Sequence, residues 1–137
     1  MRHDRMLTRV AAAAPGGTGP GPDFSGRWRN ELGSTMELAV QGGSITGTYT
    51  SAVSSGGGPV TGALAGHVNG DLIAFTVRWP APAITAWVGQ LVVAGGAEAI
   101  ETLWQMTTNV ADAEEPTKLW QSVLAGADRF VREPPSP

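Results

Sequence analysis

Residues 60–79, with the sequence VTGALAGHVNGDLIAFTVRW, indicate two β-strands joined by a tight turn. Asn69-Gly70 lies between two runs of alternating apolar residues, which predicts a hairpin with a type I′ turn. Every second residue from Ile73 to Trp79 is apolar. Because successive residues of a strand point to opposite faces, this apolar set shares one face, and we expect that face to point into the interior.

Similar short segments follow one another along the chain, separated by turn clusters such as Gly42-Gly43 and Gly95-Gly96. Regular spacing of this kind predicts an antiparallel all-β sandwich or barrel. Eight strands are predicted, near residues 25–31, 34–41, 45–53, 60–68, 71–79, 85–94, 97–107 and 126–132. The one helical candidate, residues 112–124, is acidic at its start and has Gly126 beyond its end. We expect it to form a turn or two within a long loop.

Composition limits the possible size and partners of the protein. The 137 residues are enough for one domain, and a second domain is not expected. Nine basic and twelve acidic residues give a net charge of −3 without a block of like charge, so we expect no nucleic-acid partner. The absence of cysteine excludes disulfides, thiolate catalysis and cysteine-based metal sites. The most apolar runs end too soon to cross a bilayer, so we expect no membrane partner.

No group of residues indicates catalysis or metal binding. There is no Ser, His and Asp set in a motif context, and no glycine-rich phosphate loop between a strand and a helix. Glu98 and Glu101 fall on opposite faces of their predicted strand, so they cannot form a pair of catalytic carboxylates. His67 has no second candidate ligand nearby in sequence. We therefore expect neither an enzyme nor a metal site.

Both ends of the chain differ in composition from the part between them. Residues 1–22 contain three arginines, an alanine run and a Gly- and Pro-rich stretch, which predicts a flexible leader without regular structure. Residues 6–14 resemble a degraded signal-peptide core, but Arg9 interrupts it, so no clear signal peptide is present. Residues 134–137 are predicted to be a flexible tail. The folded domain is therefore expected at residues 23–133.

The face expected to point inward carries polar side chains beside large aromatic rings. By strand alternation, the polar members of this face are Asn30, Ser34, Tyr49, Ser51, Thr85, Thr102 and Asp128. Buried polar groups are costly unless they are hydrogen-bonded. An eight-stranded barrel either fills with its own side chains or holds one small ligand. Alternation alone leaves two interpretations open: a ligand-holding barrel, or polar residues that simply lie at strand ends and in turns.

Several stretches together resemble the avidin and streptavidin family of biotin-binding proteins. The matching stretches are residues 26–34 (GRWRNELGS), 45–53 (ITGTYTSAV), 73–79 (IAFTVRW), 87–90 (WVGQ), 102–104 (TLW) and 119–130 (LWQSVLAGADRF). They follow the family's order within the part of the chain from Phe24 to Val131. The resemblance implies an all-β, eight-stranded antiparallel up-and-down β-barrel with a pocket at one end that binds biotin non-covalently and tightly. Gly26-x-Trp28 also resembles the lipocalin signature, so a lipocalin-like carrier of another small apolar ligand is the alternative.

The resemblance implies a role for each matching position. Asn30, Ser34 and Tyr49 would donate hydrogen bonds to the ureido oxygen of biotin, and their amide and hydroxyl groups suit that task. Asp128 and Ser51 would accept from the ureido N–H groups, and Thr85 would meet the ring sulfur. The apolar part of the ligand would lie among the large side chains of Leu32, Val53, Trp79, Trp87, Trp104 and Met106. Biotin is expected as a ligand and not as a cofactor.

Two connections depart from the family's pattern. The segment between Trp79 and Trp87 is shorter than in the family, and Ala83 stands where a serine usually reaches the carboxylate of biotin. The flap at residues 54–59 is glycine-rich, and Ser55 stands where the family often has an asparagine for that carboxylate. Glycines raise the entropy lost when a flap becomes ordered over a ligand. We therefore expect biotin binding that is weaker, or faster to dissociate, than in the tightest relatives.

Two further tryptophans have separate expected roles. Trp28 is predicted to pack at the floor of the barrel and not to contact the ligand. Trp120 matches a residue that caps the ligand of a neighbouring subunit in tetrameric relatives, which favours a homotetramer. The alternative is that Trp120 packs its own short helix against the barrel mouth, and a homodimer is also possible. The resemblance further implies a secreted or periplasmic protein that sequesters a vitamin.

Overall fold

The structure, a computed structural model, describes residues 3–12, 22–52 and 58–134. The strands, in chain order, are β1 (Gly26–Asn30), β2 (Thr35–Gln41), β3 (Ser44–Ser51), β4 (Val60–Asn69), β5 (Leu72–Arg78), β6 (Ala83–Ala94), β7 (Ala97–Thr108) and β8 (Val123–Arg132). The helical segments are α1 (His3–Ala12), a 3-10 turn at Asp112–Glu114, α2 (Glu115–Lys118) and a second 3-10 turn at Leu119–Ser122.

The eight strands form one closed antiparallel barrel in which each strand pairs with its neighbours in sequence. β1 closes the barrel against β8, with Arg29 opposite Val131 and Asn30 opposite Phe130. Closure pairs the first strand with the last, and it decides between the sandwich and the barrel that strand spacing alone permits. The prediction of an all-β, eight-stranded up-and-down barrel is confirmed.

The strand limits agree with the predicted ones to within three residues at every end. The largest difference is at β8, which begins at Val123, where the prediction still had helix. Val123 pairs with Thr107, so the ladder between β7 and β8 starts as soon as the second 3-10 turn ends. The predicted helix is reduced to short helical turns, as expected for this loop.

The turn between β4 and β5 differs from the predicted type I′. Asn69 pairs with Leu72 and therefore belongs to the ladder, which leaves Gly70 and Asp71 as the two central turn residues. Gly70 has a φ of 61°, and no described residue other than glycine has a positive φ. A positive φ at the first central residue alone is the pattern of a type II′ turn. Glycine at that position supplies the required backbone conformation.

One end of the barrel, which we call the closed end, is filled with apolar side chains. Phe24, Trp28 and Ile100 are fully buried there. The indole N–H of Trp28 donates to the backbone oxygen of Phe24 at 2.9 Å, and the Arg132 guanidinium lies 4.3 Å from the centre of the Trp28 ring. The predicted packing role of Trp28 is confirmed.

The N-terminal segment contains a helix where no regular structure was expected. Residues 3–12 form α1, which is rich in residues of good helix propensity and has Asp4 in its first turn. Those α1 side chains that the structure describes are exposed. Residues 13–21 and 135–137 lie outside the described residues, so the predicted leader, domain and tail limits stay predictions. No helix among the described residues is long and apolar enough to cross a membrane.

Candidate functional site

The end of the barrel opposite the closed end contains a cavity of about 160 Å³. We call this end of the barrel the cavity end. Its lining consists of eleven side chains: Asn30, Leu32, Ser34, Tyr49, Ser51, Trp79, Thr85, Trp87, Trp104, Met106 and Asp128. All eleven are among the fourteen residues predicted to form the site. Val53 and Ser55 lie outside the described residues, and Trp120 lies in the second 3-10 turn with a side chain that the structure does not describe. The role of each residue toward a ligand stays a prediction.

Strand register explains why distant residues of the chain meet at this cavity. Trp87 of β6 pairs with Trp104 of β7, and Thr85 pairs with Met106 two residues further along the same strands. Residues two apart on a strand share a face, so both pairs point inward. The aromatic part of the lining is therefore a consequence of the pairing between β6 and β7.

Asn30 forms the turn between β1 and β2 and also lines the cavity. Its side-chain oxygen accepts the backbone N–H groups of Leu32 at 3.0 Å and Ser34 at 2.9 Å. An Asn side chain that bonds to the backbone just ahead of it stabilises a turn. Gly33, with a φ of 85°, supplies the left-handed backbone that this turn needs. The amide nitrogen of Asn30 is left pointing at Tyr49, to which it donates at 3.2 Å.

Tyr49 is a buried hydroxyl donor at the centre of the polar side of the cavity. Burial raises its pKa well above the ordinary value, and the charge of Asp128 raises it further, against the opposing effect of a hydrogen bond with Ser34. The phenol therefore stays protonated at neutral pH. Ser34 is itself fixed, because its hydroxyl oxygen accepts the N–H of Ala52 at 3.0 Å. Donor groups on this wall are thus held in place before any ligand arrives.

Trp87 and Trp79 form the aromatic side, and both have hydrogen-bonded indole groups. The ring of Trp87 is stacked between Phe75 and Tyr49, each with a centroid 4.9 Å away. Its N–H donates to Asp128 Oδ2 at 3.0 Å. The N–H of Trp79 donates to Thr85 Oγ1 at 2.9 Å, which leaves the proton of the Thr85 hydroxyl for another acceptor. The aromatic wall is therefore rigid and oriented by its own polar atoms.

Asp128 is a half-buried carboxyl group at the cavity wall. Burial raises its pKa above 3.8, and the charge of nearby Glu31 and a contact with it act in the same direction. Hydrogen bonds from Trp87 and Asn30 oppose that rise because they stabilise the ionised form. The side chain is consequently an acceptor whose protonation depends on its neighbours.

Two contributors to the site were not predicted for it. Gly126 makes room for Trp104, because a Cβ at this position would lie 2.6 Å from the Cζ2 atom of that ring. Glu31 contacts Asp128 from the turn between β1 and β2. No pattern in the sequence indicated the role of Gly126, because a glycine at this position is typical of the residue that follows a helix. Strand alternation placed Glu31 on the outside, next to an inward-facing Asn30.

The short connection between β5 and β6 is a tight turn. The backbone N–H of Trp79 donates to the oxygen of Ala83 at 3.2 Å, and β6 begins at Ala83. The N–H of Asn109, the residue after β7, donates to the oxygen of Pro82 at 3.0 Å and ties the turn to the next connection. Ala83 offers no polar side chain to a ligand at this edge of the mouth.

Size alone does not identify the site. A larger depression, about 750 Å³, lies on the outside near the closed end and is lined in part by Arg27, Glu37, Arg132 and Glu133. Arg27 lies 2.7 Å from Glu133 and 3.7 Å from Glu37. Arg132 pairs with Glu98 at 2.9 Å, so the described arginines of this depression are already paired with carboxylates. The described residues contain no cluster of His, Cys, Asp or Glu that could hold a metal ion.

An eight-stranded barrel with a rigid polar and aromatic cavity at one end is a small-ligand-binding barrel. The family model described as "Avidin family" matches residues 21–133. The chain belongs to the avidin family.

Known relatives agree with this membership over most of the chain. Avidin-related protein 4/5 of Gallus gallus is 29% identical over 136 residues, which is 93% of this chain and 89% of the relative. Avidin of Gallus gallus is 28% identical, with the same shares covered. Among solved structures, the rhizavidin-biotin complex has a TM-score of 0.71 at 26% identity, covering 85% of this chain and 100% of the other. Xenavidin has a TM-score of 0.70 at 30% identity, covering 81% and 97%.

Proposed function

We propose that this protein binds biotin non-covalently in the cavity and catalyses no reaction. The observation that carries the proposal is the meeting of eleven separately predicted side chains around one cavity, polar on one side and aromatic on the other. Membership of the avidin family and likeness to a structure solved with biotin support it. The same membership disfavours the lipocalin-like alternative.

The polar side matches the ureido group of biotin in the kinds of atoms it offers. Tyr49 stays protonated and can donate its O–H, with Asn30 and Ser34 beside it as further donors to one oxygen. Asp128 accepts hydrogen bonds and would receive a ureido N–H, with Ser51 as the second acceptor. Because hydrogen bonds within the protein already hold these donors and this acceptor in place, less entropy is lost in ordering them on binding.

The aromatic side suits the rest of the ring system. The free proton of the Thr85 hydroxyl would point to the ring sulfur, because its oxygen already accepts from Trp79. Trp79, Trp104 and Met106 offer broad apolar surface. Leu32 is 64% exposed at the rim and would be covered by the ligand. Because about 160 Å³ is below the roughly 300–1,000 Å³ of pockets for whole ligands, we propose that the rings lie inside and the tail lies at the mouth.

The tail of the ligand would be held less well than in the tightest relatives. Ala83 cannot hydrogen-bond a carboxylate, and we assign that contact to Ser55, with Val53 packing beside the tail. We therefore expect biotin to dissociate faster than from streptavidin when both are measured side by side. An equally slow off-rate would contradict this part of the proposal.

Retention on a biotin resin tests the function. The unmodified protein should be retained and should be released by excess free biotin. The Asp128→Ala variant should be retained less. A resin without biotin is the control for adsorption. Passage of the folded protein through the biotin resin without delay would refute biotin binding.

We propose a homotetramer, with a homodimer as the smaller possibility. The outer face of the barrel supports association, because Val88 and Leu103 pair across β6 and β7 and are 65% and 71% exposed. Ala74 and Ala127 continue this row on β5 and β8. Trp120 would reach the cavity of a neighbouring subunit. Native mass spectrometry with and without biotin should show a tetramer, and a monomer under both conditions would refute a shared site.

We propose that the protein acts outside the cytoplasm, secreted or periplasmic, and sequesters the vitamin. Tight non-covalent capture without turnover suits removal of biotin from the surroundings. Fractionation of the source cells should place the protein in the periplasm or the medium. Recovery only from the cytoplasm would contradict this role without affecting biotin binding.

A further inference from the structure

We propose that Glu31 is a positioning residue of the biotin site: its carboxyl group holds the peptide that carries Asp128 and sets how acidic the solution can become before biotin is released. The proposal rests on the proposed biotin binding and extends it to a residue outside the cavity lining. Two independent observations support it, one from the backbone and one from charge.

Glu31 accepts a hydrogen bond from β8 just beyond the last backbone pair of β1 and β8. The last backbone pair joins Asn30 and Phe130. One residue further on β8, the backbone N–H of Arg129 donates to Glu31 Oε2 at 3.0 Å. A side-chain carboxylate therefore supplies the acceptor that a continued β1 would have supplied from its backbone.

The opposite edge of the same peptide is held by a second side chain. The hydroxyl of Thr102, on β7, donates to the backbone oxygen of Asp128 at 2.9 Å. That oxygen and the N–H of Arg129 belong to one planar trans peptide, so they point in opposite directions. Thr102 and Glu31 thus hold the peptide from both sides. Because the Asp128 side chain projects from one end of this peptide, its place at the cavity wall depends on both contacts.

Glu31 is also the charged group that acts most directly on Asp128. Of the elements packed around Asp128, the turn after β1 contributes Glu31 and β3 contributes Tyr49, which stays protonated. Trp87 of β6, Asn30 of β1 and Thr102 of β7 contribute uncharged groups. The neighbouring Arg129 guanidinium pairs with Glu101 at 2.7 Å.

This arrangement predicts the direction in which Glu31 changes the response of biotin binding to acid. The charge of Glu31 adds to the effect of burial, which already raises the pKa of Asp128. As the pH falls, Asp128 takes up a proton and becomes an uncharged, weaker acceptor for a ureido N–H. Without the charge of Glu31, Asp128 stays ionised to lower pH, and biotin should stay bound to lower pH.

Two variants of Glu31 separate the hydrogen bond from the charge. Glu31→Gln keeps an oxygen for the Arg129 N–H but removes the charge, whereas Glu31→Ala removes both. The matched control is Glu37→Gln, which changes an exposed carboxylate on β2 that lies 3.7 Å from Arg27. Biotin affinity and dissociation rate are measured on the full chain between pH 7 and pH 4. The thermal midpoint of each unliganded variant confirms folding.

At pH 7 we expect Glu31→Ala to release biotin roughly three- to ten-fold faster than the unmodified protein. Glu31→Gln should release biotin at a rate within about two-fold of the unmodified protein at pH 7. On acidification, its affinity for biotin should fall about five-fold less than that of the unmodified protein. Thr102→Val, which removes the other contact but keeps the shape, should change the rate in the same direction as Glu31→Ala. The Glu37→Gln control should match the unmodified protein throughout.

Failure of this inference is distinguishable from failure of the proposed function. If the unmodified protein binds biotin, and both Glu31 variants match it in rate at pH 7 and in response to acid, the positioning role is overturned. If Glu31→Ala does not fold, the acid response of Glu31→Gln decides alone. An unmodified protein that does not bind biotin overturns the proposed function itself.

Discussion

Trp28 at the closed end and Trp87 at the cavity end are both almost fully buried indoles with a bonded N–H, yet they belong to different kinds of environment. Trp28 donates to a backbone oxygen, that of Phe24, among apolar neighbours. Trp87 donates to the carboxylate of Asp128, between two stacked rings. One bond completes a core, and the other orients an ionisable group at a cavity wall.

The difference shows how one barrel provides both stability and a site. A backbone oxygen has no alternative protonation state, so the hydrogen bond of Trp28 contributes to stability independently of pH. The cavity end keeps hydrogen-bonded polar atoms and partly buried rings at its wall, where they can meet a ligand. Changes at the closed end should therefore affect unfolding, and changes at the cavity end should affect binding.

The largest expected effect is on stability, from Trp28→Ala compared with Trp104→Ala. Removing the fully buried Trp28 should lower the free energy of unfolding by about 3–5 kcal/mol. Trp104 is only partly buried, so the same change should cost less stability and mainly weaken biotin binding. Denaturant unfolding monitored by circular dichroism measures the loss of stability in each variant. Equal loss of stability in the two variants would contradict the division between the ends.

The next effect is on affinity, from Asp128→Ala. The variant leaves a ureido N–H and the Trp87 N–H without their acceptor, and we expect biotin binding to weaken by roughly 1–3 kcal/mol or more. Competition calorimetry measures the change. An unchanged affinity would remove Asp128 from the proposed site.

Gly126→Ala tests whether the place of Trp104 matters. The added Cβ would lie 2.6 Å from the ring, so the ring must move, at a cost of about 1–3 kcal/mol in stability and with weaker biotin binding. Gly43→Ala is the control, because its Cβ would meet its nearest atom, the Val68 oxygen, at an ordinary 3.6 Å. Near-UV circular dichroism reports the ring. Identical spectra and affinities for both variants would argue against the role given to Gly126.

The smallest effect concerns the unliganded protein and is tested by Asp128→Asn. Burial raises the Asp128 pKa, so its contribution to stability is full below pH 3.8 and is lost as the pH rises through the folded-state pKa. Asparagine stays neutral and can still accept the Trp87 N–H. The variant should therefore have the higher melting temperature at pH 7. Its free energy of unfolding should be higher by less than about 1 kcal/mol, because Asp128 is half exposed. The difference should shrink toward pH 3.8, and a lower melting temperature at pH 7 would contradict it.

Strand alternation and turn residues predicted the fold well because each strand has one face in the interior. Ile73, Phe75 and Val77 alternate with more exposed residues and are all buried. Alternation failed at the turn after β4, where the pairing of Asn69 decides which residues are central. Composition failed for α1, because the Gly- and Pro-rich residues that follow it outweighed its helix propensity in the prediction.

The lining of the cavity was predicted through the resemblance more than through physical reasoning. Alternation identified the polar inner residues but could not distinguish strand ends from a ligand site. Glu31 was missed because it acts through the backbone of another strand, and nothing local to it shows that contact. Gly126 was missed because the space it leaves is defined by a ring on β7.

Titration of the purified protein with biotin, followed by tryptophan fluorescence, tests the central claim most directly. Trp79, Trp87 and Trp104, three of the five tryptophans, line the cavity. We predict a saturable change in fluorescence with an end point at one biotin per chain, and a weaker response in Asp128→Ala. An emission spectrum that biotin leaves unchanged, in a protein shown to be folded, would contradict the assignment of this cavity as a biotin site.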